Sequence, residues 1–257
     1  MALAATLSIV PFLAPATPAR AANKTIVGGT SSGYESCRQY GHIPAGSGNF
    51  VIRDDYFNPK QPVCVEADGG HAGFTVVRSS IPMHGRPVAA FPYELYGCSW
   101  GLCTPGAALP ARTSAIRGPV STFHTVGDSV GSWNAAYDLW FATRRMTTGQ
   151  ANGAELMVWL RGKWPLDSTR IATVGGVRYY VAHWIANHHT GTTWNYIQFR
   201  RVRPLDGLTN LRLAPLIAYS ERMGWIRPSW WWLNVEAGFE IRGGGRGLAA
   251  TEFSVRA

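Results

Sequence analysis

The chain has 257 residues, of which 46% are hydrophobic and only 15% charged, with 29 glycines, 16 prolines and 12% aromatic residues. Low charge without long low-complexity runs excludes a mostly disordered chain, and the apolar content is enough for a sizeable core. Basic residues outnumber acidic ones 24 to 15, giving +9, but they are scattered and form no recognisable nucleic-acid-binding module.

Residues 1–22 read as a signal peptide. Ala2 to Ala14 is an uncharged apolar run, followed by Pro15-Ala16-Thr17-Pro18 and the small-x-small pattern Ala19-Arg20-Ala21. The segment Met1 to Thr6 lacks the usual Lys or Arg. The run is too short for a transmembrane helix, and no later stretch is long enough, so the mature protein is expected to be secreted and to have no membrane partner. Residues 23–33, rich in Gly, Ser and Thr, read as a flexible lead-in. No linker or repeat divides residues 34–257, which read as one domain.

The cysteines Cys37, Cys64, Cys98 and Cys103 form no C-x-x-C pair and have no matching His cluster, so no metal site is expected. An even count behind a signal peptide favours two disulfides. Three connectivities are open, of which the sequential pairing Cys37–Cys64 and Cys98–Cys103 is the simplest.

Strand-like stretches recur through the domain: Phe50 to Arg53, Phe74 to Arg78, Ser121 to Thr125, Trp133 to Phe141, Ala154 to Leu160, Arg178 to Ile185, Trp194 to Val202, Trp231 to Ile241 and Gly247 to Val255. They are bounded by Gly, Pro, Asn or Asp, the pattern of an all-β, two-sheet antiparallel sandwich. Leu211 to Met223 is the one helical stretch, expected to pack outside a sheet. His188-His189 reads as a polar hairpin tip. Within Trp230-Trp231-Trp232, alternation assigns Trp231 to the core and Trp232 to the cleft side. Gly243-Gly244-Gly245 reads as a turn.

Few acidic residues lie inside strands. In Glu155 to Leu160, alternation puts Glu155, Met157 and Trp159 on one face and Leu156, Val158 and Leu160 on the core face. In Val235 to Ile241, Glu236, Gly238 and Glu240 share a face, and Gly238 leaves room for something to approach. In Trp133 to Trp140, Asn134, Ala136, Asp138 and Trp140 lie together. Carboxyls among Trp rings suit sugar chemistry: rings stack on apolar sugar faces, and two carboxyls flank the glycosidic bond.

At these residues the chain resembles glycoside hydrolase family 12, the β-jelly-roll endoglucanases. Asn134 to Leu139 resembles the family's N-A-A-Y-D-[IL], Glu155 to Leu160 its E-[ILV]-M-I-W-[LF], and Ala237 to Ile241 its A-G-F-E-[IP]. Tyr96 to Gly106 is similar to its [YN]-G-C-x-[YW]-G-x-C-[ST]-P-G loop. Cys37 and Cys64 stand where bacterial members carry an N-terminal disulfide. The resemblance runs from about Cys37 to Val255.

The resemblance implies a jelly roll with a concave substrate cleft. It implies a secreted retaining endo-β-1,4-glucanase that needs no cofactor and acts as a monomer. Glu155 would be the nucleophile, Glu240 the general acid/base, and Asp138 the partner of the nucleophile's carboxyl. Asn134, Met157 and Trp140 would line the substrate site. Retention calls for carboxyls about 5–5.5 Å apart, Glu155 ionised and Glu240 protonated at first. Xyloglucan and mixed-linkage glucan remain alternative substrates. A non-catalytic carbohydrate-binding jelly roll would lack one of the two glutamates, and both are present.

Four positions depart from the family pattern. Val51 to Asn58 aligns with V-V-x-N-N-x-W-[GN], so Phe57 stands where a sugar-stacking Trp is usual and Asp55 where an Asn binds the sugar. Arg242 replaces an aromatic residue on the Glu240 face, where a cation would lower the acid's pKa or bind substrate. Glu236 stands where many members have Gln and is a weaker rival to Glu240 for the acid role.

Overall fold

The computed structural model describes residues 25–27, 34–67, 72–83, 87–188 and 191–256. The expected signal peptide, most of the lead-in and His189 lie outside these residues. The strands in chain order are β1 (Thr25–Val27), β2 (Glu35–Ser36), β3 (Gly41–Ala45), β4 (Phe50–Asp54), β5 (Val63–Ala67), β6 (Phe74–Ser79), β7 (Tyr93–Ser99), β8 (Leu102–Cys103), β9 (Ala111–Arg112) and β10 (Val120–Val126). They continue with β11 (Gly131–Ala142), β12 (Ala154–Gly162), β13 (Ile171–Val174), β14 (Val177–Asn187), β15 (Thr193–Arg201) and β16 (Gly207–Arg212), then helix α1 (Ala214–Arg222), β17 (Trp231–Trp232), β18 (Asn234–Gly244) and β19 (Ala249–Arg256).

Two sheets result. The smaller has the order β16-β10-β19-β6-β5-β2, with β1 on β19. The larger has the order β13-β14-β15-β12-β11-β18-β7-β4-β3. The pairing is antiparallel as expected, except that β12 and β15 run parallel, Glu155 opposite Tyr196. After β12 the chain passes outward and returns through the β13–β14 hairpin, so β15 slots between β14 and β12.

Alternation decides what each face of the large sheet carries. Leu139, Phe141, Leu156, Val158, Val235, Ala237 and Phe239 enter the core and meet Phe74, Phe123, Phe253 and Val255 of the small sheet. Full burial of such side chains stabilises by about 1.5–3 kcal/mol each. The alternate residues face the open, concave side. Both disulfides follow the sequential pairing, Cys37–Cys64 and Cys98–Cys103.

Four local readings are corrected. The helix begins at Ala214, because Leu211 and Arg212 pair with β10 as part of β16. The Trp231–Ile241 strand breaks at Leu233, whose N–H turns to Trp140 O, and this extra residue shifts the alternation. Trp232 is therefore the core residue, stacked on Phe141, while Trp231 is half-buried between the guanidiniums of Arg112 and Arg145. Gly238 leaves no room for a ligand: a Cβ there would collide with the backbone of Pro92 and Tyr93 on the neighbouring chain segment. Gly243 and Gly244 continue β18 instead of opening a turn.

Candidate active site

β11 is the spine of the site. Its concave-side residues Asn134, Asp138 and Trp140 lie between β18 and β12. Asn134 is opposite Glu240, Asp138 is opposite Glu236 and Met157, and Trp140 is opposite Glu155. The two glutamates thus flank β11 on a diagonal, with Asp138 between their levels. Both are half-buried, whereas Asp138 and Glu236 are buried.

Each carboxyl has a neutral donor. Trp194 Nε1 donates to Glu155 Oε2 at 2.7 Å, and Trp140 Nε1 donates to Asp138 Oδ2 at 3.1 Å. Asn134 Nδ2 donates to Glu240 Oε2, and Asn234 Nδ2 donates to Glu236 Oε1 at 2.8 Å. Asp138 Oδ1 is buried with no hydrogen-bond partner among the described residues. The Tyr196 hydroxyl meets Met157 Sδ at 3.0 Å, so Met157 lies in the floor.

Burial is the main cause that raises every one of these carboxyls. Glu155 is pushed up to about 8, with the Trp194 hydrogen bond pulling down and the charges of Glu240 and Glu236 pushing further up. Glu240 reaches about 7, held down by Asn134 and by the Arg242 guanidinium and raised by Asp167. Asp138 lies well above the ordinary carboxylate range, through burial and then Glu155, Glu236 and Glu240. Glu236 rises to about 8, moderated by Ser99 and Arg53. Burial thus lifts both glutamates into the same range, and their neighbours rather than burial alone separate them. The four groups share protons as a cluster, and ionised Glu155 requires that its neighbours hold theirs.

The predicted substrate residues divide. Asn134 is fully buried and Trp140 half-buried, and both serve carboxyls. Phe57, 45% exposed, lies just beyond β4 on the other flank of the sheet, near half-buried Asp55. Burial raises Asp55 to about 6 against the pull of Arg53. Arg242 lies over Trp164, its Cζ 3.6 Å from the ring centroid, and Trp164 meets Trp159 edge-on at 4.7 Å. Arg200 Nη1 pins that loop through the carbonyls of Trp164 and Pro165, both at 2.8 Å, and Gln198 Nε2 holds Asp167 at 2.9 Å.

Sequence reasoning missed Trp194, Trp164 and Asp167. The alternation of β15 does put Trp194, Tyr196, Gln198 and Arg200 on one face, but nothing local says that β15 lies beside β12.

With this geometry the comparisons are decisive. The family model for glycosyl hydrolase family 12 matches residues 63–257. The chain belongs to this family. It is a glycoside hydrolase. A metagenome-derived family 12 endoglucanase of known structure is 33% identical, with a TM-score of 0.79 over 87% of this chain and 96% of that one. Endoglucanase cel12A from Rhodothermus marinus is 30% identical, with a TM-score of 0.79 over 87% and 98% of the two chains. Endoglucanase S of Pectobacterium parmentieri is 26% identical over 180 residues, 68% of each chain. The glycoside hydrolase therefore has the two-sheet jelly roll of its relatives, with the carboxyl cluster on the concave face. Among the described residues no helix is long and apolar enough to cross a membrane.

Proposed function

We propose that this family 12 glycoside hydrolase, an endoglucanase, cleaves internal β-1,4-glucosidic bonds of an unbranched glucan by double displacement. The observation that carries the reading is the cluster of Glu155, Asp138 and Glu240 on one open sheet face, each held by a neutral donor. A carboxylate oxygen of Glu155 attacks the anomeric carbon as the C–O bond to the leaving sugar breaks. Glu240 gives its proton to that oxygen. Glu240 then takes a proton from water, whose oxygen attacks the same carbon and releases Glu155. Asp138 keeps its proton, so it sets no further charge beside Glu155, which lets Glu155 ionise inside a crowded acidic cluster. Phe57 and Asp55 bind sugar on the glycone side, and Met157 lies under the reacting ring. The two disulfides agree with an oxidising compartment, and the enzyme works secreted and as a monomer.

Rates on carboxymethylcellulose, mixed-linkage glucan, xyloglucan and xylan test the substrate, and unbranched β-1,4-glucan should be cut fastest with an early fall in viscosity. Azide separates the two acids. Glu240→Ala should give the β-glycosyl azide from a dinitrophenyl glycoside, and Glu155→Ala the α-azide. The same product from both variants would overturn the roles.

A further inference from the structure

Two indoles reach the carboxyl cluster from β11 and β15, the strands on either side of Glu155. Trp140 is directly opposite Glu155 on β11, and Trp194 shares the concave face of β15 two residues before Tyr196, which is opposite Glu155 on the other side. The rings pack against each other with centroids 5.5 Å apart. One N–H reaches Glu155 Oε2 and the other Asp138 Oδ2. The donor end of each ring is committed to a carboxyl.

An indole is suited to this place for a chemical reason. It has one donor, no acceptor and no charge, and it neither gains nor loses a proton in the working range. A Lys or Arg here would pair with the nucleophile and blunt it, and a hydroxyl could rotate and accept. The indole favours the charged carboxylate, fixes one oxygen, and contributes no proton that competes with the acid/base. Among the described residues no hydrogen bond uses Glu155 Oε1, and Asp138 Oδ1 has no partner.

We propose that Trp194 and Trp140 are positioning residues, a packed indole pair that fixes one oxygen of the nucleophile and one of its partner carboxyl and leaves the other oxygen of Glu155 set for attack. This rests on the assignment of Glu155 as nucleophile. The groups that face Glu155 are Asp138 on β11, Glu236 and Glu240 on β18 and the Tyr196 hydroxyl on β15, all unable to supply a fixed positive charge. The Trp194 hydrogen bond is the donor contact that offsets them.

The test uses Trp194→Phe, Trp140→Phe and the double variant, which keep an aromatic ring and delete the N–H. A 2-deoxy-2-fluoro cellobioside that traps the covalent intermediate counts competent sites, so rates are expressed per folded, active molecule. On dinitrophenyl β-cellobioside, Trp194→Phe should lower kcat about 10- to 100-fold with KM within about twofold. Its acid limb in kcat/KM should move to higher pH, because the lost donor raises Glu155 further. Trp140→Phe should cost less, acting only through Asp138, and the double variant should be non-additive because the rings touch. Unchanged kcat and acid limb per titrated site would overturn the proposal, as would a rise in KM at constant kcat, which marks a sugar platform. The trapped peptide reads the nucleophile separately: a label on any residue other than Glu155 in the wild-type enzyme overturns the parent assignment, whatever the indole variants do.

Discussion

The two faces of the large sheet both bury carboxyl groups, and they treat them differently. On the concave face Glu155, Asp138, Glu236 and Glu240 each receive a neutral hydrogen-bond donor, and two of them remain half-open to the cleft. On the core face, one strand away, Glu94 of β7 sits between Ile52 of β4 and Ala237 of β18, both members of the apolar core. It is fully buried, and among the described residues neither of its oxygens has a hydrogen-bond partner. Burial raises the pKa on both faces, so a raised pKa alone does not mark a catalytic acid. The difference lies in the donors and in access to the cleft: partners that hold an ionised form, against surroundings that tolerate only the protonated one.

Substitutions on each face should separate these situations, and the largest effect belongs to Glu155, the proposed nucleophile. Glu155→Gln keeps the shape and removes the charge. It should lower kcat by about 10⁴-fold or more and raise the unfolding temperature, since a carboxyl strained by its neighbours is gone. A loss of stability together with activity would make Glu155 a structural residue.

Asp138→Asn comes next, with kcat reduced about 100-fold. Because Asp138 is already neutral, its replacement should move the acid limb of kcat/KM little. In the wild-type enzyme that limb should stand above 4.5, the ordinary glutamate value, because burial lifts Glu155 to about 8. A wild-type limb at 4.5 or below would mean that substrate or solvent restores ordinary carboxylate behaviour to the cluster.

Glu94 tests the other face. Its folded pKa is raised well above 4.5, so the folded state keeps a proton that the unfolded chain releases. Stability is therefore fullest below about pH 4.5 and is lost as pH rises through the raised folded value. Glu94→Leu should stabilise the fold by about 2 kcal/mol at pH 8 and by less at pH 4, with kcat unchanged. Urea unfolding at the two pH values measures this, and an equal gain at both would show that the charge has no part in it.

The smallest effect concerns Phe57, proposed to bind sugar on the glycone side. Phe57→Trp enlarges an exposed ring and should lower KM on unbranched cello-oligosaccharides about fivefold, from about 1 kcal/mol of added stacking, with stability unchanged. A fall in activity on every oligosaccharide, xyloglucan fragments included, would mean that the cleft is shaped around the smaller ring.

Much of this site was legible before any folding. Period-two alternation is imposed by the strand itself, so Glu155 and Met157 had to oppose Leu156 and Val158, and Asp138 had to share a face with Asn134 and Trp140. The same alternation failed at Trp231 and Trp232, where one residue at Leu233 turns out of the strand and shifts every side chain before it by one position. It also could not distinguish a cleft residue from one already committed. Asn134 and Trp140 lie on the right face, yet their polar ends are on Glu240 and Asp138.

Alternation within a segment therefore determined which residues of this protein face the cleft and which face the core, because that depends only on backbone geometry. The tertiary structure decided which strands became neighbours. The parallel insertion of β15 beside β12 brings Trp194 to Glu155 from 39 residues away, and the loop after β12 brings Trp164 under Arg242 from β18. Such pairings are chosen by how whole strands close a common core, and a strand carries no local mark of the partner it will meet.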